Sequence, residues 1–180
     1  MYIGITGTFA AGKGEVVAIL RKYGFTRYGF GDFLRAELAK RGMDTSIATT
    51  TKFANSLREE HGDGYLAEQL LERLESEAPK HAVLESIRHP AELAVLRRLP
   101  GFILLSVDAP RELRYERLQQ RGRSDNLKTF EEFCYWEDKQ LEGKGSEQQL
   151  YAVMDEADVH LMNIGTIDEL EMQLKDALQL

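Results

Sequence analysis

Short apolar stretches at residues 2–6, 25–30, 82–86, 102–107 and 159–163 punctuate the chain, rich in Val, Ile, Leu, Phe and Tyr and bounded by Gly, Asn or charged residues. Runs of this length and composition predict strands. Between them, apolar residues recur at spacings of three and four. That period predicts helices over residues 15–23, 31–41, 49–60, 65–77, 91–98, 111–121, 130–141, 147–157 and 167–178. Strands that alternate with helices predict an α/β three-layer sandwich, a five-stranded parallel sheet with helices on both faces. Ligands of such sheets bind at the carboxyl ends of the strands. Two stretches exceed what a crossover needs. Residues 31–78 place three helices between the second and third strands, and residues 122–146 are polar and broken by glycines. Both are expected to cover a substrate, the first as a helical insertion that binds it and the second as a lid.

The first chemistry lies just after the first strand. Gly7, Thr8, Phe9, Ala10, Ala11, Gly12, Lys13 and Gly14 spell GxxxxGK, and a helical pattern starts at Glu15. A loop of this spacing turns backbone N–H groups inward on a polyphosphate. The helix N-terminus adds its partial positive charge, and Lys13 reaches the outer phosphates. The expected ligand is a nucleoside triphosphate held by residues 7–15. In the commonest form of the loop a Ser or Thr follows the Lys and its hydroxyl touches Mg²⁺. Here Gly14 stands in that place. Glu15 is either a first-turn acid favoured by the helix dipole or a holder of metal-bound water.

Composition narrows the class. A chain of 180 residues is long enough for one domain with a full core and too short for two ordinary ones, so residues 1–180 are expected to form a single domain. With 43% hydrophobic and 29% charged residues it belongs with soluble globular proteins. No run nears the ~18 apolar residues of a membrane span, and the N-terminus lacks a signal pattern; a cytoplasmic protein with no membrane partner is expected. The single cysteine, Cys134, excludes an internal disulfide and fits a reducing compartment. A formal charge of -7 argues against nucleic acid as a partner. Positive charge is gathered in short arginine-bearing stretches, a pattern that suits small anions.

Phosphoryl transfer needs positioning and cancellation of charge more than reactive side chains. Glu85, at the end of the third strand, is the candidate metal carboxylate; its alternative is an acid paired with Arg88, itself a candidate for bidentate phosphate recognition. Asp32 reads as a helix N-cap. Asn55 and Arg58 stand three apart on one helical face. Either they face a substrate, or Arg58 forms surface salt bridges with Glu59 and Glu60. Arg111, Arg114, Arg117, Arg121 and Arg123 form the densest cationic cluster, and residues 114, 117 and 121 share a stripe. Arg117 and Arg121 are the expected stabilisers of the moving phosphoryl group, with Arg123 next. His61, His81, His89 and His160 show no metal-ligand spacing. Phe133, Tyr135 and Trp136 read as packing residues.

The Gly-Lys-Gly loop resembles that of adenylate kinase and other nucleoside monophosphate kinases of the P-loop NTPase class, although a Thr follows it there and Glu15 does here. Gly31-Asp32-Phe33-Leu34-Arg35 is similar to their Gly-Asp-x-Leu-Arg element, which implies that Arg35 grips an acceptor phosphate. In dephospho-CoA kinases an acid at the corresponding strand end is thought to be the base, which would give Asp32 that role. With Ala54 to Gly62, Glu85 to Glu92, Arg114 to Asn126, Lys128 to Phe133 and Asn163 to Leu170, nearly the whole chain resembles a little-characterised group of P-loop kinases related to both. Some members resemble the kinase half of proteins fused to deoxycytidylate deaminase. The resemblance implies ATP as donor, Mg²⁺ as cofactor, adenine held near Asn163 and Gly165, and a small nucleotide substrate. A (deoxy)nucleoside monophosphate is the first acceptor, dephospho-CoA the alternative, and a non-catalytic ATP-binding switch the rival outside enzymes. Either a monomer or a homodimer is compatible.

Overall fold

The computed structural model describes residues 1–120, 129–145 and 148–180. The five strands are β1 (Tyr2–Gly7), β2 (Thr26–Gly29), β3 (Ala82–Glu85), β4 (Phe102–Asp108) and β5 (Val159–Met162). They pair in the order β2-β3-β1-β4-β5, every pairing parallel. β1 therefore lies centrally, with Ile5 opposite Glu85 on one side and Leu105 on the other. This register brings the ends of β3, β1 and β4 side by side, and with them Glu85, the glycine loop and Asp108.

The helices are α1 (Lys13–Lys22), α2 (Phe30–Lys40), α3 (Ile47–His61), α4 (Tyr65–Glu77), α5 (Pro90–Leu96), α6 (Arg111–Gln120), α7 (Phe130–Leu141), α8 (Leu150–Asp155) and α9 (Ile167–Leu178). Side chains alternate across the pleat, so the inner strands β1, β3 and β4 feed two cores. Ile5, Val83 and Leu105 join Val16 and Leu20 of α1 and Leu170 and Leu174 of α9. Leu84 and Leu104 join Leu66 and Leu70 of α4, Leu93 of α5 and Val153 of α8 on the other face. The sandwich is the predicted one. Each fully buried Leu or Ile contributes about 1.5–3 kcal/mol. No helix among the described residues is long and apolar enough to cross a membrane.

The boundaries depart from the pattern where capping intervenes. The second strand was expected to reach residue 30, yet α2 begins at Phe30, with Gly29 as its extended cap. Phe30 is buried in the helical core, and its apolar side chain read as strand. Asp32 is therefore not the N-cap; it stands in the first turn. The helix expected at 147–157 shortens to α8, because the Gln149 N–H is tied to the Arg88 carbonyl (2.9 Å) and the Asp158 N–H to Leu104 (2.9 Å). α5 opens on a capping box in which His89 Nδ1 accepts from the Ala91 N–H (3.2 Å) and Glu92 Oε2 accepts from the His89 N–H (3.2 Å).

Glu92 does more than cap. It is 0% exposed and its Oε1 accepts from Arg58 Nε (3.1 Å) and Nη2 (2.8 Å), fastening α3 to α5. Arg58, at 3% exposure, is thus an inward ion-pair partner and not a surface one for Glu59 or Glu60. Its Nη1 donates to Asn55 Oδ1 (3.0 Å). Removing one member of such a pair strands the other's charge in the interior. Glu92→Ala is expected to cost about 3–5 kcal/mol, read as a lower urea midpoint at unchanged slope, and Glu92→Gln, which keeps an acceptor oxygen, less.

Candidate active site

The glycine loop leaves β1 with the close approach its residues permit. Gly7 has φ 131°, and a Cβ there would run into the carbonyl oxygen of Val107 on β4. Gly12, the left-handed cap of α1 at φ 101°, would meet the side-chain amide of Asn163. The loop carbonyls are held from outside. Lys13 Nζ donates to Gly7 O (2.8 Å) and Thr8 O (2.7 Å), Arg114 Nη1 to Phe9 O (3.2 Å), and Asn163 Nδ2 to Ala11 O (2.8 Å). Thr8 Oγ1 donates to Asp108 Oδ1 (2.5 Å) at the end of β4. A loop whose carbonyls are engaged outward leaves N–H groups for an anion, and Lys13 is placed to exchange carbonyl partners for phosphate oxygens.

Charge around Lys13 is crowded. Burial first, then the charges of Arg88 and Arg114, lower its pKa to about 7, against the opposing pull of Glu85 and Asp108. Arg88 is likewise held below its ordinary value, chiefly by burial, with Arg58 adding to the effect and Glu92 and Glu85 opposing it. Its Nη1 donates to Gln148 Oε1 (2.9 Å). A polyanion arriving here meets cations that gain from its presence.

Glu85 pairs with Arg27 Nε (2.8 Å). Arg27 also bonds Asp32, whose second oxygen accepts from Arg35 Nη2 (2.6 Å). Burial alone would raise the pKa of Asp32, but the hydrogen bonds and charges of Arg35 and Arg27 outweigh it and hold the carboxyl below its usual range. The described residues contain no cluster of three or more His, Cys, Asp or Glu that would cage a metal. Glu85 and Asp108, single carboxylates at the ends of β3 and β4, are of the kind that fits Mg²⁺, which keeps several waters and takes one or two carboxylates plus phosphate oxygens.

Two cavities open at this edge of the sheet. One, of about 270 Å³, is lined by Gly12, Glu15, Arg117, Gln120, Asn163 and Gly165 among others. Arg117, one of the lining residues, has a buried Nη1 with no hydrogen-bond partner among the described residues. The other, of about 130 Å³, is lined by Arg35, Arg58, Arg88, Ser86 and Gln148, with Thr45, Thr50 and Thr51 of the helical insertion.

The structure thus brings residues 7–15, Asn163, Gly165 and Arg117 to one cavity or the loop beside it, and Arg35, Arg58 and Arg88 to the other. Asn55 reaches the second only through Arg58. Arg121, Arg123 and the first part of the expected lid lie outside the described residues. Phe133 packs as expected at 1% exposure, whereas Tyr135 (61%) and Trp136 (38%) are exposed. Sequence reasoning missed Arg27, Glu92, Asp108, Glu137 and Gln148, and it grouped Arg114 in one stripe with Arg117 and Arg121 without giving it a role. Arg114 is instead 4% exposed, bonded to Glu137 and to backbone. The one available signal was Asp108 closing the apolar run of residues 102–107.

A parallel sheet in this order, with a GxxxxGK loop between β1 and α1, defines a P-loop nucleotide-binding protein with the kinase fold. The chain belongs to the AAA domain family, which it matches over residues 3–142, and to the UPF0200 proteins. The UPF0200 protein of Methanothermobacter thermautotrophicus is 35% identical over 98% of this chain and 88% of its own length. Shikimate kinase from Bacteroides thetaiotaomicron shares the fold with a TM-score of 0.65 at 14% identity, over 100% of this chain and 99% of that one. A gluconokinase from Sinorhizobium meliloti does so with a TM-score of 0.55 at 14% identity, over 99% and 91%.

Two predictions follow from the geometry. With Lys13 at about pKa 7, the amine is mostly neutral above that pH; a bound triphosphate favours the charged form, so binding takes up a proton. The contribution of Lys13 to ATP affinity is expected to be constant below pH 7 and to fall as pH rises above it. Titration calorimetry at pH 8 in buffers of differing ionisation enthalpy should show uptake of ~1 proton, lost in Lys13→Met. Ser86, the residue after β3, holds φ 78°, a conformation costly for a residue with a side chain. Ser86→Gly is expected to stabilise the fold by about 1 kcal/mol while removing a hydroxyl from the arginine-lined cavity. A lower melting temperature would refute strain at this position.

Proposed function

We propose that the chain transfers the γ-phosphoryl group of ATP to a small phosphorylated acceptor, with a (deoxy)nucleoside monophosphate as the acceptor class. The observation that carries this reading is the second cavity. A protein that only bound ATP would need the loop and the cavity beside Asn163; a separate pocket walled by Arg35, Arg58 and Arg88 suits a second anion. Arginine forks match phosphate oxygens, and the charge of Arg88 is near enough to Lys13 to shift its titration. The two anions would then meet at the amine.

In this reading the loop amides and Lys13 hold the β and γ phosphates, and Arg117, whose buried Nη1 has no partner among the described residues, reaches the transferring group. An acceptor phosphate oxygen bonds to the γ phosphorus as the bond to the β–γ bridging oxygen breaks, and ADP leaves. Glu85 is the residue that would hold Mg²⁺ through its water shell, and the ion would supply neutralisation of the charge that develops on the phosphates. Asp32 favours a phosphate over a hydroxyl acceptor. Clamped by Arg27 and Arg35 and held acidic, it is a poor proton acceptor, and a monophosphate arrives already ionised and needs no base. That consideration sets dephospho-CoA second.

The test is product formation from γ-labelled ATP over a panel of nucleoside and deoxynucleoside monophosphates plus dephospho-CoA. A labelled diphosphate is expected, with the accepting monophosphate raising the melting temperature by mass action. Arg88→Ala should raise acceptor KM about tenfold or more, the loss of ~1.5–3 kcal/mol for a hydrogen bond to a charged group, with little change in Kd for ATP. ATP turnover indifferent to every acceptor, with no phosphorylated product, would sink the kinase reading.

A further inference from the structure

A buried ion pair that lines neither cavity reaches the loop's backbone. Glu137 of α7 is 3% exposed and pairs with both Arg114 guanidinium nitrogens and with Arg111 Nε (2.7 Å). Arg111 is fixed in turn by Asp138 (2.7 Å). Arg114 spends its remaining donors on backbone: Nε on Ala109 O (2.7 Å) and Nη1 on Phe9 O (3.2 Å). Phe133, one turn before Glu137, lies beneath this guanidinium at 5.7 Å and against the Phe9 ring at 6.4 Å. The same helix therefore grips Phe9 by its side chain and, through Arg114, by its carbonyl.

A trans peptide is planar, so its C=O and the next N–H point in opposite directions. Holding the Phe9 carbonyl outward against Arg114 turns the Ala10 N–H the other way, into the loop. Ala10 itself sits at φ 60°, a conformation that needs outside support. We infer that Arg114 and Glu137 are positioning residues that preset the Phe9–Ala10 peptide for triphosphate, so that the placement of α7 governs how tightly the loop binds. This rests on the reading of residues 7–15 as a triphosphate site. Arg114 is 4% exposed and does not line either cavity, so a direct phosphate contact is not its part.

The experiment compares Glu137→Gln and Arg114→Lys with Leu74→Ala, a core truncation in α4 far from the loop. Arg114→Lys keeps the charge opposite Glu137 but lacks the fork that reaches Phe9 and Ala109 together. Kd is measured for ATP and for inorganic tripolyphosphate, and hydrogen exchange at the Ala10 amide is followed in the ligand-free protein. Both variants are expected to weaken ATP and tripolyphosphate by the same factor, tenfold or more, and to speed Ala10 exchange. Leu74→Ala should lower the melting temperature and leave both affinities within twofold. If affinities and Ala10 exchange hold while stability falls, the pair is merely structural and the inference is overturned. If the unmodified chain binds neither ligand, the triphosphate reading fails, and Ala10 exchange alone still decides whether the pair sets this peptide. Should Glu137→Gln not fold, Arg114→Lys decides by the same measurements.

Discussion

Everything at the site depends on how closely β1 can pass β4 as it ends. At Gly7 the backbone comes so near the Val107 carbonyl that no side chain fits. Because β1 is the middle strand, the loop that follows emerges between the ends of β3 and β4, within reach of Glu85, Arg88, Asp108 and Arg114. A bulkier residue at position 7 would push the loop off the sheet edge and separate groups that belong to four different elements. The two cavities, the outward-held carbonyls and the crowding of charge on Lys13 are all results of that one approach.

The electrostatics of the region are dominated by buried cations. Lys13 and Arg88 are both displaced toward their neutral forms by burial, Lys13 also by the charge of Arg88 and Arg88 by that of Arg58, and Arg117 has a buried nitrogen with no partner among the described residues. These are unfavourable placements for a protein standing alone, and a stable domain bears them at the expense of a few kcal/mol of its core. Their carboxylate neighbours are mostly spoken for: Glu92 by Arg58, Glu137 by Arg111 and Arg114, Asp32 by Arg27 and Arg35.

The sheet, its helices and the loop were legible in the sequence because their signals are local. A run of five apolar residues or a GxxxxGK spacing is a property of neighbours along the chain, and α4, α7 and α9 begin and end where their periodicity does. Partnership across the fold is not written that way. Arg58 next to two glutamates looks like a surface residue, and only the packing of α3 on α5 reveals Glu92, 34 positions on, as its mate. Arg114 looks like its neighbours in the arginine stripe until α7 supplies Glu137. Asp32 resembles a cap because Asp caps helices; Gly29 takes that place because β2 yields to α2 one residue earlier than the apolar pattern suggests. The arginines were recognisable as a group, and which of them face inward is decided by carboxylates distant in sequence.

The three-way fastening at Glu92 has a mechanical consequence. One carboxylate joins α3 through Arg58, the start of α5 through the His89 N–H, and the Arg88 backbone through its N–H (3.0 Å). α3, α5 and the end of β3 are thereby one stiff body, and the rear of the arginine-lined cavity cannot open or close without breaking a buried ion pair. A ligand entering there would meet a wall already in its final shape, so little of its binding energy would go to ordering that side. Discrimination among ligands at this wall would then be a matter of static fit, and any movement that accompanied binding would come from the cavity's other margins.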